Sequence, residues 1–406
     1  MTRSTQAPPI DAPDSPRQSP PDRAPWPSRQ MRLVARVLAS EPKLMADAEA
    51  FAEAHLTREY PRPPRVPAAL RLVAHVRRDE LDGFAVFTVT PRRSAGTPSR
   101  SHAAQTAPAA AETVPASRWD VVYLHGGGYC GELIDVHWEI VLNLLRHTGA
   151  TITVPCYPLA PEHTHEVGHA WVERVYRGLL TRMSADRVVL MGDSAGGGMC
   201  LAQAMRYRDA GLPLPARLIL FAPWVNVEAT NPDIAAVEPR DPVLARPGGL
   251  LAGQWWAGAD STAHPQVSPL NGDVHGLPPV DLYTGTADIL MPDVRLLAAK
   301  LAAAGGGVRL VEYPDAIHVY VGAAFTPEAR DTYRRIADTL GTADARYPAQ
   351  TRLVASPTAL FSRQATMRAR AASTPWIRHV GVRARLHLDR AAAGNHAKPT
   401  GGDALG

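Results

Sequence analysis

The run Val188-Val189-Leu190-Met191-Gly192-Asp193-Ser194-Ala195-Gly196-Gly197-Gly198 carries a short apolar, β-branched stretch straight into a G-x-S-x-G. The alanine-rich residues from Met199 to Arg208 follow with helical spacing. Strand, sharp turn and helix in that order are the context in which G-x-S-x-G marks a nucleophile elbow. The glycines have a steric reason. Ser194 has to sit in a tight, strained turn, and side chains at 192 and 196 would collide with the neighbouring strand and helix. Such a turn lifts the Ser194 hydroxyl above the sheet edge and sets the Ala195 N–H at the start of a helix, where it can donate to an oxyanion. A strand–helix turn without chemistry can carry the same glycines, so the companions of the motif decide.

Outward from this stretch the chain alternates between two periodicities. Strands are predicted at 119–124, 151–155, 187–192, 216–222, 279–285 and 307–313. Helices are predicted near 135–148, 168–183, 195–209, 291–303 and 326–340. This is an α/β class: a mostly parallel central sheet with helices on both faces. Residues 225–270 interrupt the rhythm with Pro, Asp, Gly and the pair Trp255-Trp256. An insertion after a strand lies on the carboxyl edge of the sheet, where ligands bind in open α/β folds. Upstream, Arg71 to Arg78 and Phe84 to Thr90 alternate as two strands of a hairpin around Asp82-Gly83. Between Met31 and Leu56, apolar residues recur at helical spacing, broken at Pro42, which predicts two short amphipathic helices.

Two further motifs belong with the serine. Tyr123-Leu124-His125-Gly126-Gly127-Gly128-Tyr129 follows a strand directly. Consecutive glycines let the backbone bend so that two N–H groups point into one space. With the Ala195 N–H, two such groups could supply a three-donor oxyanion hole. A phosphate loop would need G-K-[ST], which is absent. His125 reads as a structural hydrogen-bonding residue rather than a base.

A serine hydroxyl needs a base, and the base needs an acid to fix its tautomer. In Tyr283-Thr284-Gly285-Thr286-Ala287-Asp288 a carboxylate follows a strand, and in Tyr313-Pro314-Asp315-Ala316-Ile317-His318 an imidazole follows the next. Ser, Asp, His is the chain order of such triads in α/β-hydrolases. Asp293 follows the same strand as Asp288, but it comes immediately after Pro292, where a helix start accounts for it. His165-Glu166-Val167-Gly168-His169 matches the zinc motif H-E-x-x-H. Gly168 is a poor residue inside the helix that motif needs, and no third ligand stands at a familiar spacing, so chance is the better account.

The chain has 406 residues and a formal net charge of +4, too slight to argue for a nucleic-acid partner. Three cysteines, Cys130, Cys156 and Cys200, give no disulfide framework, which implies no oxidising compartment and a cytoplasmic setting. No apolar run is long enough for a transmembrane helix. Residues 1–30 are Pro-, Ser- and charge-rich and read as a disordered leader; residues 91–116 read as a mobile Pro/Ser/Ala/Thr-rich insertion. Residues 344–406 read as a basic disordered tail, with about ten cations against two acids from 346 onward. That leaves 31–343 as the folded domain.

The motifs HGGG at 125–128, YPLAPEH at 157–163, GDSAGGG at 192–198, SPLNGDVHGLPPV at 268–280 and the D-x-L of Asp288 to Leu290 occur in order. Together they resemble the hormone-sensitive-lipase-like branch of the α/β-hydrolases over residues 31–343. The resemblance implies an α/β-hydrolase fold with a helical cap, here 31–60 and 225–270. It implies Ser194 as nucleophile, Asp288 as acid, His318 as base, and Gly126, Gly127 and Ala195 as oxyanion donors. Val319 and Pro158 depart from the family pattern, which has glycine and arginine at those places. The implied activity is a serine carboxylesterase or acetyl-hydrolase acting on a small, apolar ester, with no cofactor and no metal. An amidase or N-deacetylase on the same triad, a non-catalytic receptor of the same fold, and a zinc hydrolase are the alternatives.

Overall fold

The strands that carry the nucleophile and the acid are buried on both faces, as parallel strands covered on both sides must be. Every residue of β6 (Val188–Asp193) and β8 (Val280–Gly285) is buried. The computed structural model describes residues 17–18, 26–61, 64–92, 117 and 119–341. The expectations for the tail at 344–406, for most of the insertion at 91–116 and for the leader before residue 26, apart from 17–18, lie outside the described residues.

Besides the two strands already named, the parallel part of the sheet contains β4 (Asp120–Leu124), β5 (Thr151–Pro155), β7 (Arg217–Phe221) and β9 (Val308–Tyr313). Its helices are α4 (Asp135–Thr148), α5 (His165–Leu180), α6 (Ala195–Asp209), α9 (Met291–Ala303) and α10 (Pro327–Thr339). Two antiparallel strands, β2 (Ala74–Leu81) and β3 (Phe84–Pro91), extend one edge, and β1 (Arg17–Gln18) pairs with β9 at the other. The full order is β1-β9-β8-β7-β6-β4-β5-β3-β2. Nearly all core elements fall within a residue or two of their predicted bounds.

Three places differ. The first hairpin strand runs over 74–81, not 71–78, because α3 (Ala68–Val73) takes the residues before it. Leu81 pairs directly with Phe84 across Asp82 and Gly83, both at positive φ (51° and 83°), and a two-residue turn of that hand fixes the register. The exposed β2 edge carries Arg77, Arg78, Asp79 and Glu80, charges that discourage pairing with another chain. Second, α5 begins at His165 rather than 168, so Gly168 lies inside the helix. A Cβ there would overlap the Trp256 ring, so close packing accounts for this glycine. Third, the leader does not extend to residue 30. Trp26 packs edge-on against Tyr313, with ring centroids 5.2 Å apart. Ser28 caps α1 (Arg29–Ala39) by accepting the Met31 N–H. Its own N–H and hydroxyl donate to the buried Glu328 carboxylate at 2.7 and 2.8 Å.

After β7 the chain leaves the sheet for α7 (Ile234–Val237) and α8 (Arg246–Ala257). The 3-10 turn Leu44–Ala46 and α2 (Ala48–Leu56) both lie against α8. Phe51 stacks on Trp255 at 5.9 Å, and the Lys43 ammonium donates to Leu244 O at 3.0 Å. Arg58, just past α2, donates to the backbone carbonyls of Cys130 and Ala160 and pairs with Glu162. Among the described residues, no helix is long and apolar enough to cross a membrane.

Helix α8 offers an internal test of this packing. A Cβ on Gly253 would stand 2.7 Å from the Val227 Cβ, whereas one on Gly249 would meet nothing within 4 Å. Gly249→Ala is expected to stabilise the protein by about 0.4–1 kcal/mol, through a less flexible unfolded chain. Gly253→Ala is expected to destabilise it by about 1–3 kcal/mol through overpacking. Thermal or urea melts of the two variants check both signs.

Candidate active site

At the end of β6 the backbone turns through Ser194 at φ 53°, ψ −123°, a conformation that L-residues adopt only under constraint. The constraint is visible. The Ser194 N–H donates to Phe221 O at 2.9 Å, and its carbonyl accepts the N–H groups of Trp224 (2.8 Å) and Gly198 (3.1 Å). Gly192 and Gly196 leave room for the turn: a Cβ at 196 would overlap the Leu124 carbonyl. The loop after β9 brings His318 over the serine, and the loop after β8 brings Asp288 behind it.

Ser194 Oγ lies 3.0 Å from His318 Nε2, and His318 Nδ1 lies 2.8 Å from Asp288 Oδ2. An ionised carboxylate only accepts, so Nδ1 carries the ring proton and Nε2 is free to accept from the hydroxyl. Asp288 Oδ1 accepts the Leu290 N–H at 2.9 Å, which holds the carboxylate in one rotamer. Ser194 and His318 are each 8% exposed and Asp288 is fully buried. Burial opposes a charge on His318, but the charge and hydrogen bond of Asp288, with the charges of Asp241 and Asp193, outweigh it and leave the pKa above its ordinary 6.5. Val319, in place of the family glycine, holds a left-handed φ of 48° despite its branched side chain.

The glycine loop needs one correction. The Gly126 N–H, expected to face an oxyanion, donates to Asp193 Oδ1 at 3.1 Å and is thereby committed. Asp193 also accepts the Tyr123 hydroxyl, and its carboxyl pKa is raised by burial despite these donors. Gly126 is small because a Cβ would overlap the Asp193 carboxylate. The next two residues turn at positive φ, Gly127 at 110° and Gly128 at 62°. Their N–H groups donate to no protein group among the described residues. Ala195 opens α6, where the first N–H groups lack intrahelical partners. The donors free to meet an oxyanion are therefore Gly127, Gly128 and Ala195. Gly128 was hidden in the sequence because which way a glycine N–H points depends on φ, not on identity.

His125 donates its Nδ1–H to Gly126 O (2.8 Å), stacks on Tyr157 at 4.6 Å, and is pushed down to about 3 by burial. It holds the loop and stays neutral. Above the loop, a Cβ on Gly128 would stand 3.4 Å from the Met45 Cε and 3.9 Å from the Ala252 Cβ. Tyr129, next to the glycines, stacks on both Trp224 (5.6 Å) and Trp256 (4.4 Å), so the loop is backed by buried aromatic rings.

The H-E-x-x-H residues do not converge on one point. His169 donates its Nε2–H to Gln266 O (2.8 Å) and accepts the Gln203 amide N–H at Nδ1 (3.1 Å), and Glu166 faces solvent. His165 pairs instead with Asp260 at 2.9 Å. Asp260 and His264 bring ligand-type atoms within 4.8 Å of it, but the His264 Nδ1 already accepts the Gln266 N–H at 3.2 Å. Asp293, the other carboxylate after β8, is turned to Asn231 at 2.9 Å rather than to His318. It is buried and stitches α9 to the insertion after β7, a stronger reason for its presence than helix-end charge alone.

A family profile for the alpha/beta hydrolase fold matches residues 121–322. An acetyl-hydrolase of Streptomyces hygroscopicus is 33% identical over 203 residues, 49% of this chain and 67% of that protein. A carboxylesterase of Mycobacterium tuberculosis is 32% identical over 222 residues, 52% of this chain and 68% of its own length. Among solved structures, an esterase from the bacterial hormone-sensitive lipase family superposes with a TM-score of 0.61 at 24% identity, covering 77% of this chain and 97% of that one.

Proposed function

Because this chain belongs to the hormone-sensitive-lipase-like α/β-hydrolases, we propose that it is a serine carboxylesterase that removes short acyl groups, acetyl first among them, from apolar esters. The observation that carries this reading is the unbroken Ser194–His318–Asp288 relay, with steps of 3.0 and 2.8 Å. His318 Nε2 takes the Ser194 proton as Oγ bonds to the ester carbonyl carbon. The carbonyl oxygen, now an oxyanion, is held by the N–H groups of Gly127, Gly128 and Ala195, each donor worth about 2.7–4 kcal/mol in the transition state. Asp288 stabilises the imidazolium and keeps its orientation. When the intermediate collapses, the C–O bond to the alcohol breaks and the imidazolium returns its proton to the departing oxygen. Water then attacks the acyl-Ser194 by the same route and the carboxylic acid leaves.

A preference for short chains is supported by the apolar atoms of Met45, Ala252 and Trp224, which lie within 4.0 Å of where a Gly128 Cβ would stand. The unpaired thiols of Cys130, Cys156 and Cys200 support a cytoplasmic setting. The test is a panel of p-nitrophenyl esters of graded chain length with p-nitroacetanilide beside them. Acetate and butyrate should outrun the longest chains, the anilide should turn over far more slowly, and a chelator should change nothing. Preference for the anilide would move the reading to an amidase; loss of activity with chelator would move it to a metal hydrolase.

The base sets the pH dependence. Only neutral His318 can take the proton, so activity is present above its pKa and lost as pH falls through it. With that pKa raised above 6.5 in the folded protein, kcat/KM on p-nitrophenyl acetate is expected to be half-maximal above pH 6.5 on the acid side. A profile still flat well below that value would remove His318 as the base.

A further inference from the structure

Asp241 lies between α7 and α8, in the insertion after β7, and is 1% exposed. Nothing in the mechanism above uses it. Its Oδ1 accepts the N–H groups of Val243 (2.7 Å) and Leu244 (2.9 Å), the bonds of an ordinary Asx turn. A turn needs only that one oxygen. The other, Oδ2, reaches 48 residues along the chain to accept the Ile289 N–H at 2.9 Å. Ile289 directly follows Asp288.

The loop after β8 is therefore held from both sides of one peptide. Asp288 Oδ2 faces His318 and its Oδ1 takes the Leu290 N–H, while the intervening N–H is taken by a carboxylate that belongs to the insertion. Burying a second carboxylate beside the first is unfavourable unless donors compensate, and here three backbone N–H groups do.

We propose that Asp241 is a positioning residue for the triad: it clamps the backbone beside Asp288 through the Ile289 N–H and adds its own negative charge to the field at His318, so that seating of the insertion and alignment of the triad acid are one event. This rests on the serine-esterase reading. The charge has few rivals close by. Asp288 and His318 face Asp241 from the loops after β8 and β9, and Asp193 acts on the same imidazole from β6. On its own segment Glu238 is paired with Arg246 and Arg240 with Asp315, and Lys43 reaches the Leu244 carbonyl from the N-terminal segment. Burial first, then the charge of Asp288, raises the Asp241 pKa, while His318 opposes the rise. The imidazolium thus sees the Asp241 carboxylate in addition to those of Asp288 and Asp193.

Asp241→Asn tests this in the full chain, with p-nitrophenyl acetate as substrate. An amide cannot accept at both ends, so one of the two contacts is lost together with the charge. The expected result is a fall in kcat of about 10-fold or more with KM within about threefold, the pattern of an interaction made in the transition state. The acid limb of kcat/KM should also move to lower pH by about half a unit or more, since a negative charge near the imidazolium has gone. Asp241→Glu should restore the position of the acid limb while recovering only part of kcat. Should Asp241→Asn not fold, Asp241→Ser is smaller, keeps an acceptor for the turn and should show the same shift. An unchanged acid limb in the neutral variants, or a loss carried by KM alone, overturns the proposal. Full activity in Ser194→Ala would instead overturn the esterase reading beneath it, so the two failures are told apart.

Discussion

Ser194→Ala is expected to lower kcat by about 10⁴-fold or more while the melting temperature barely moves, because the triad acts as a unit and the side chain carries little of the fold. The elbow does not depend on the hydroxyl. Its strained φ of 53° is held by the Phe221 carbonyl and by the N–H groups of Trp224 and Gly198, and alanine can occupy the same turn. What disappears is the atom that bonds to the acyl carbon, leaving only binding and the oxyanion donors. Steady-state kinetics on p-nitrophenyl acetate, with a serine-reactive phosphonate as a label, measure both. Substantial activity in a pure Ser194→Ala sample would end the serine mechanism.

The second large effect separates two carboxylates that the sequence places on the same stretch. Asp288→Asn is expected to lower kcat by about 10⁴-fold, as when the tautomer of a triad histidine is wrong. The Leu290 N–H holds one end of the side chain, so the amide oxygen turns toward it and the NH₂ group toward His318. Nδ1 must then accept, the ring proton moves to Nε2, and the nitrogen facing Ser194 can no longer take a proton. Asp293→Asn keeps an oxygen for Asn231 and never faces the imidazole. It should cost about 1 kcal/mol of stability, the scale of one hydrogen bond, and leave kcat within a few-fold. Kinetics and melts of the two variants, side by side, decide the assignment; swapped outcomes would reverse it.

The elements legible in the sequence are those whose residues are buried on every side. β6 opens on the apolar run Val188 to Met191, β8 starts after Pro279 and ends at Gly285, and α6 opens on small residues, so their limits could be set almost to the residue. The short α3 could not, since six residues carry too little periodicity to outweigh the alternation that follows them. Trp26 and Ser28 hid inside a Pro-rich leader because pinning a segment takes one ring and one buried carboxylate, not a hydrophobic pattern. In the site, chain order was enough to nominate Ser194, Asp288 and His318. Gly126 was misjudged because its N–H is taken by Asp193, and nothing local announces which donor a buried acid will choose. Asp241 was invisible for the same reason: its partner lies 48 residues away.

The docking of the N-terminal segment has a consequence for how the protein is made. Ser28 binds Glu328 at a separation of 300 residues, Lys43 binds Leu244 at 201, and Arg58 binds Ala160 at 102. The segment is thus synthesised 102–300 residues ahead of these partners. At about 5–20 residues per second, α1 would wait about 15–60 s for its buried carboxylate, with Met31 and Val34 exposed. Contacts of such length also close slowly, because the chain entropy lost in joining them comes before any reward. The hairpin of β2 and β3 can form at once, and the sheet can grow behind it, but the roof over the serine cannot close on a partial chain. Slower synthesis, lower temperature or a holding chaperone should therefore raise the soluble yield, and a nascent chain halted before residue 328 should lack the Glu328 anchor of α1.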